Sequence, residues 1–350
     1  MANTVVGIDI GSASIRAVEL ADAEKPKPTL LRYGRIEVPP GAVKRGEVIE
    51  SDTVAALLKR LWSNSGIKTK RVVLGMGNQR VFARDLTVPR APLPRIRESL
   101  PFLVQEMLPL PVSETILDFY PTSEGTGEHG PTVNGLLIAA VKDAILANVK
   151  AVQAAGLTPV EVDLVPFALQ RALVSRPRIA GTVALIDVGA STTTVIVATN
   201  GVPEFVRIIP TGGEDLTNAL STRLSLTPPQ AESVKRALGL APNVSTAEEH
   251  SQATVIYEVV NELLGSLRNT IAYFSNTRET TPVQRIVLAG GAAQLPGFGS
   301  ALAEFTRLPV EDGDPFSTIA ISRGLRAENL RIDQREITVA LGLAMGSVAA

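Results

Sequence analysis

No cysteine occurs in the 350 residues. That excludes disulfides, thiolate nucleophiles and cysteine-liganded metal sites, and it fits a reducing compartment. Histidine is nearly absent too: His129 sits in a polar loop and His250 in "STAEEHSQ". Neither stands at metal-ligand spacing or beside a nucleophile, so no histidine triad or zinc site is expected. Aromatic residues make up only 4%, which leaves no evident aromatic hot spot for a partner. The formal net charge of −1 exerts no global pull towards nucleic acid or anionic lipid. No apolar run reaches the ~18–20 residues that span a bilayer. The stretch "ITVALGLAMGSVAA" is short and broken by glycine, and it reads as a packed helix. The first residues run directly into a strand, without the basic segment and apolar core of a secretory signal. A cytoplasmic protein without direct membrane insertion is therefore expected. A P-loop is missing. "GTGEHG" at 125–130 matches G-x-G-x-x-G by letter, but prolines flank it, so it reads as a loop tip.

What is present is apolar residues, 45% of the chain, enough to bury two cores and to predict two α/β domains. One pattern occurs twice. "GIDIGSASIRAVEL" and "LIDVGASTTTVIVA" both read strand, Asp, apolar residue, Gly, small hydroxyl residues, strand. Asp9 and Asp187 stand about half a chain apart, which indicates an internal duplication. Each unit predicts a hairpin with a tight turn of small residues. Such a turn exposes backbone N–H groups, and converging N–H groups make an anion site. Ser12, Ser14, Ser191 and Thr192 add hydroxyl donors. Two such turns on facing domains would grip a polyphosphate from both sides. The carboxylates ending the first strands would then hold Mg²⁺ through water.

These paired hairpins resemble those of the actin/Hsp70/sugar-kinase superfamily. The fold class this implies is α/β, actin-like, with duplicated ribonuclease H-like domains. The implied cofactors are ATP and Mg²⁺. Asp9 and Asp187 would face the metal from opposite domains. Gly11, Ser12, Ala13 and Ser14, with Gly189, Ser191, Thr192 and Thr193, would hold the β- and γ-phosphates. Arg16 stands where relatives carry a phosphate-contacting lysine, and its longer, forked side chain implies altered phosphate geometry. "TGGEDLTNALSTRLSL", with Gly212 and Gly213, follows the second hairpin at the corresponding place. Glu232 and Lys235 lie at i, i+3 on one helix face, where the resemblance puts contacts to ribose and base. "RIVLAGGAAQLPGFGSALAEF" resembles the adenosine segment, with Gly290, Gly291 and Ala292 against the nucleotide.

The stretch between the hairpins resembles the FtsA/PilM branch, in which an inserted subdomain replaces the usual second one. "EMLPLPVSETILDF" and "GLTPVEVDLVPFALQRAL" are similar to the type IV pilus assembly protein PilM family. The expected domains are 1–88 with 161–180, an inserted α/β unit at 89–160, 181–213 with 281–350, and a helical nucleotide-binding unit at 214–280. No Lys or Arg follows Arg335, which disfavours an FtsA-like basic membrane tail. An FtsA-like division protein and a small-molecule kinase of the same superfamily remain as alternatives. The implied role is a scaffold docked on the inner-membrane platform of a pilus. Its implied partners are the N-terminal cytoplasmic peptide of a PilN-like membrane protein and other platform and motor proteins. The peptide groove is expected between a strand at 71–88 and a helix at 95–108, walled by Val81, Leu86, Leu100, Leu103 and Val104. A basic patch of Arg71, Arg80, Arg84, Arg90, Arg95 and Arg97 is expected beside it. Hydrolysis is expected to be weak or absent, because "DLVPFALQ" offers only the displaced Asp163 and Gln170 to orient an attacking water. No catalytic residue is assigned.

Overall fold

The computed structural model describes residues 4–128, 130–240, 244–278, 282–325 and 334–346. His129 lies outside them. The chain opens with β1 (Thr4–Ile10) and β2 (Ser14–Ala21), paired antiparallel from Thr4 with Ala21 to Ile10 with Ile15. β3 (Thr29–Glu37) continues the antiparallel run. A short ribbon, β4 (Val43–Lys44) and β5 (Glu47–Val48), leads to helix α1 (Ser51–Ser65). Its apolar residues Val54, Ala55, Leu58 and Leu61 fall at helical spacing and bury one stripe. Gly66, in the left-handed region, ends it. β6 (Arg71–Met76) then lies parallel to β1 on its other side.

The strand expected at 71–88 is two strands in two sheets. Asn78 breaks it: its side chain accepts the Arg80 N–H at 3.0 Å and its carbonyl accepts the Val81 N–H at 3.2 Å. Asn favours such turns because its amide imitates a backbone turn. β7 (Val81–Pro89) follows, then helix α2 (Leu93–Leu103), β8 (Thr115–Gly127) and β9 (Gly130–Val141). These strands form a separate antiparallel sheet in the order β7-β9-β8. Much of the polar "PTSEGTGEHGPT" stretch is thus strand, and the glycine motif sits at a hairpin tip. Val88, Ile96, Leu100, Val104, Phe119 and Leu137 build a small core inside this unit.

Helix α3 (Lys142–Ala154) and β10 (Thr158–Leu164) return to the first sheet, where β10 lies parallel to β6. The expected boundaries of 89 and 160 therefore miss the sheets. The separate sheet starts at Val81, and Ala151, Val152 and Leu157 bury in the first core with Leu58 and Leu61.

Helix α4 (Val165–Gln170), prolonged by a π-type turn through Ser175, crosses to the second half. There β11 (Thr182–Val188), β12 (Thr193–Thr199) and β13 (Val202–Ile209) run antiparallel. Helices α5 (Gly213–Leu224), α6 (Pro228–Leu238) and α7 (Ala247–Thr277) follow. α7 starts at a capping box. Thr246 accepts the Glu249 N–H at 3.1 Å, and Glu249 accepts the Thr246 N–H at 3.1 Å. These helices share one core with the second sheet: Leu216, Ala231 and Ile256 pack with Ile186 and Val195. β14 (Arg285–Ala289), helix α8 (Phe298–Thr306) and β15 (Val310–Asp312) complete that sheet, and β16 (Ala320–Ile321) crosses back to pair with β3.

The duplication goes beyond the hairpins. Apart from β16 at its edge, the first sheet runs β10-β6-β1-β2-β3 and the second β15-β14-β11-β12-β13, with the same strand senses. A helix at Gln334–Ala344 lies on the first sheet with Ile337, Ala340, Leu341 and Leu343 fully buried. Burying each Leu or Ile stabilises by roughly 1.5–3 kcal/mol. Gly7 permits the close approach, since a Cβ there would stand 2.1 Å from the Ala340 carbonyl oxygen.

Candidate functional site

Between the two halves lies a cavity of about 750 Å³. The β1–β2 turn enters it from one side and the β11–β12 turn from the other. One constant offset relates the two turns. Asp9 pairs across its hairpin with Arg16, and Asp187 with Thr194. The Gly11 N–H donates to the Ser14 carbonyl at 3.1 Å, and the Gly189 N–H to the Thr192 carbonyl at 2.9 Å. The turns touch: Ser12 Oγ and Ser191 Oγ share a hydrogen bond of 2.8 Å.

Charge concentrates where they meet. Asp187 is 9% exposed. Burial first, then the neighbouring Asp9 charge, push its carboxyl up to about 7, against the pull of Arg16. Burial also raises Asp9, opposed by Arg16, whose Nη1 donates to Asp9 Oδ2 at 3.1 Å. Two carboxylates held above their usual range on facing turns suit a cation between them. Among the described residues no group of three His, Cys, Asp or Glu side chains could hold a metal. An ion here would lean on Asp9, Asp187 and water, as Mg²⁺ does.

Glu232 and Lys235, expected as nucleoside contacts, line the cavity and pair with each other. Lys235 Nζ lies 2.5 Å from Glu232 Oε2 and donates to the Gly213 carbonyl at 3.1 Å. Half-burial resists ionisation of Glu232, but hydrogen bonds from Lys235 and Arg236 bring it down to about 2. Gly290 has φ 91°, and a Cβ there would meet the Val188 carbonyl oxygen at 2.3 Å. Only glycine lets that loop lie against the end of β11.

Asp9, Gly11, Ser12, Ala13 and Arg16 line the cavity, as do Asp187, Gly189, Ser191 and Thr192. So do Gly212, Gly213, Glu232, Lys235, Gly290, Gly291 and Ala292. Two expected residues do not. Ser14 is fully buried, and its hydroxyl finds no partner among the described residues. Thr193 points to the opposite face of its strand from Thr194, and its hydroxyl donates to the Thr211 carbonyl at 2.7 Å. Thr194, Arg35 and Glu336 line the cavity without having been expected. The offset from Arg16 pointed to Thr194. Arg35 enters because β3 pairs with β2 in a register that sets it opposite Arg16. Glu336 had no local signal, because only the return of the last helix brings it in.

Asp163 and Gln170 are engaged elsewhere. Arg171 donates to Asp163 at 2.9 Å, and Gln170 donates to the Gly201 carbonyl. Val165 faces the cavity instead. The expected peptide groove also changes. Val81, Leu100 and Val104 are buried in cores, whereas Leu103 is 48% and Phe102 86% exposed. Much of the expected basic patch is paired. Arg80 meets Glu47 at 2.9 Å, Arg90 meets Glu124 at 2.9 Å, and Arg97 meets Asp118 at 2.5 Å.

Comparison with known proteins agrees with this architecture. The cell division protein FtsA of Bacillus subtilis (strain 168) is 23% identical over 352 residues, spanning 89% of this chain and 78% of that protein. A solved PilM-PilN type IV pilus biogenesis complex is similar at a TM-score of 0.86 and 27% identity, over 99% of both chains. MreB5 of Spiroplasma citri bound to AMPPNP shares the fold at a TM-score of 0.57 and 10% identity, over 97% of this chain and 94% of that one. The fold is actin-like. A family model described as type IV pilus assembly protein PilM matches residues 7–348, and the chain belongs to that family.

Proposed function

We propose that this PilM-family chain is a nucleotide-dependent scaffold of a type IV pilus. It binds Mg-ATP in the cleft and turns it over slowly or not at all. It joins the inner-membrane platform by capturing the N-terminal cytoplasmic peptide of a PilN-like protein. One observation carries the nucleotide reading: two equivalent turns, each with an aspartate at the same register, face each other across one cavity. Bound Mg²⁺ would neutralise phosphate charge, with Asp9 and Asp187 holding it through water. The turns of residues 11–13 and 189–192 would receive the phosphates, and Gly290, Gly291, Glu232 and Lys235 the nucleoside. Slow turnover follows from the cavity face of α4, where Val165 offers nothing to orient a water.

The partner is supported by the likeness to the PilM-PilN complex along the whole chain. Among the described residues no helix is long and apolar enough to cross a membrane. Recruitment through a membrane-anchored partner is therefore the route proposed. An extended peptide is held by backbone hydrogen bonds and alternate side-chain pockets, and the exposed Leu103 and half-buried Leu86 border its proposed path.

Two titrations test this. Calorimetry should show ATP binding that strengthens with Mg²⁺, and hydrolysis well below roughly 1 s⁻¹. Peptide titration should show micromolar affinity, typical of a small transient interface, weakened by Leu103→Asp in a folded variant. A parent protein that ignores the peptide but binds the tail of the division tubulin would transfer the partner to the FtsA-like alternative.

A further inference from the structure

Strands β2 and β3 set Arg16 directly opposite Arg35, and both side chains enter the cavity. Like charges facing each other on neighbouring strands repel. Here a single oxygen relieves the repulsion. Glu336 Oε2 accepts from Arg16 Nη2 at 2.8 Å and from Arg16 Nε at 3.2 Å, and it lies 3.1 Å from Arg35 Nε. Asp9 takes the remaining edge of Arg16. Burial opposes ionisation of Glu336, yet the two guanidiniums hold it below the usual carboxylate range. Glu336 also borders the glycine loop, since a Cβ on Gly291 would stand 3.4 Å from its Oε1. Two forked cations converging on one anionic oxygen form the arrangement that recognises a phosphate.

We propose that Arg16 and Arg35 together form an anion site for the terminal phosphate of the nucleotide, and that Glu336 fills it when no nucleotide is bound. This rests on the nucleotide reading above. A phosphate oxygen entering the site replaces the carboxylate on both guanidiniums. The freed Glu336 then faces the phosphates, so its charge opposes the exchange. Affinity is thereby set by how many phosphates the ligand carries. Glu336 stands in the first turn of the helix Gln334–Ala344, whose apolar face is buried against the first sheet. The exchange at the cavity thus acts on an element packed into the core.

The test is calorimetry of ATP, ADP and AMP with Mg²⁺ on the parent protein, Glu336→Gln and Arg35→Gln, with circular dichroism as the folding control. Glutamine keeps the shape of Glu336 and removes its charge. Glu336→Gln should bind ATP on the order of tenfold tighter, with a smaller gain for ADP and the least for AMP. Its ligand-free Tm should fall, because the ion pairs are lost. Arg35→Gln should weaken ATP more than AMP. A purely structural Glu336 gives a lower Tm with unchanged or weaker ATP affinity, and that result overturns the proposal. If the parent binds nucleotide but Arg35→Gln leaves the ATP-to-AMP ratio unchanged, the paired site is overturned while the nucleotide reading stands. Failure of the parent to bind any of the three overturns both. Should Glu336→Gln not fold, the Arg35→Gln ratio decides alone.

Discussion

The hydroxyls of Ser12 and Ser191 meet at 2.8 Å, joining the two equivalent turns across the cleft. A phosphate received by both turns takes over this contact, exchanging one neutral hydrogen bond for charge-assisted ones. In Ser191→Ala, the ligand-free protein should lose only about 0.5–1.5 kcal/mol, the net worth of such a bond. Mg-ATP affinity should fall several-fold, because a phosphate donor is gone. Chemical denaturation and calorimetry measure the two effects. A stability loss with unchanged nucleotide affinity would show that the serines serve only the empty fold.

Asp187 gives opposite pH dependences to stability and to binding. Its carboxyl, raised from 3.8 to about 7 in the fold, binds a proton more tightly there than in the unfolded chain. Its contribution to stability is therefore full below about pH 3.8 and is lost as pH rises towards 7. In Asp187→Asn the ligand-free protein should be more stable than the parent at pH 8, by on the order of a few kcal/mol. That advantage should shrink steadily as the pH is lowered. Cation-dependent ATP binding by the parent should move the other way and weaken from pH 8 to pH 6, because the cation needs the ionised carboxylate. An advantage of Asp187→Asn that does not vary with pH would contradict this.

Neighbouring glycines should behave differently. Gly290→Ala places a Cβ against the Val188 backbone at 2.3 Å in a left-handed conformation. Neither the strand nor the loop can yield cheaply, so a loss of roughly 2–4 kcal/mol is expected. At Gly291 a Cβ comes no closer than 3.4 Å to the Glu336 side chain, an ordinary contact, and Gly291→Ala should stay within about 0.5 kcal/mol of the parent. Thermal denaturation of the two variants compares them directly. Equal losses would mean that the loop does not press on β11 as described.

Much of this was legible because the decisive pattern is local. Strand, Asp, Gly and small residues fit inside one hairpin, and the hairpin occurs twice. Asp9, Asp187, Gly11 and Gly189 followed from it, whereas Gly212, Gly213, Gly290 and Gly291 came only from the superfamily resemblance of their segments. Sequence could not show Glu336, which contacts Arg16 only because the helix Gln334–Ala344 folds back onto β1, β2 and β6. Thr193 was grouped with the phosphate-binding turn, and the alternation of side chains along β12 turns its hydroxyl to the Thr211 carbonyl while Thr194 lines the cavity. The break at Asn78 was missed as well. The apolar alternation runs across it, and a short Asx turn reassigns everything beyond to another sheet. The groove walls were misjudged because Leu100 and Val104 share a helical stripe with Ile96 and so bury inside the inserted unit, leaving Leu103 outside.

The most direct test is a crystal structure of the protein with Mg²⁺ and a non-hydrolysable ATP analogue. The phosphates should lie between residues 11–13 and 189–192, with the metal between Asp9 and Asp187 and the nucleoside towards Gly290 and Lys235. Analogue bound elsewhere on the protein, with the cavity between the two turns left empty of it, would contradict a nucleotide role for the duplicated hairpins.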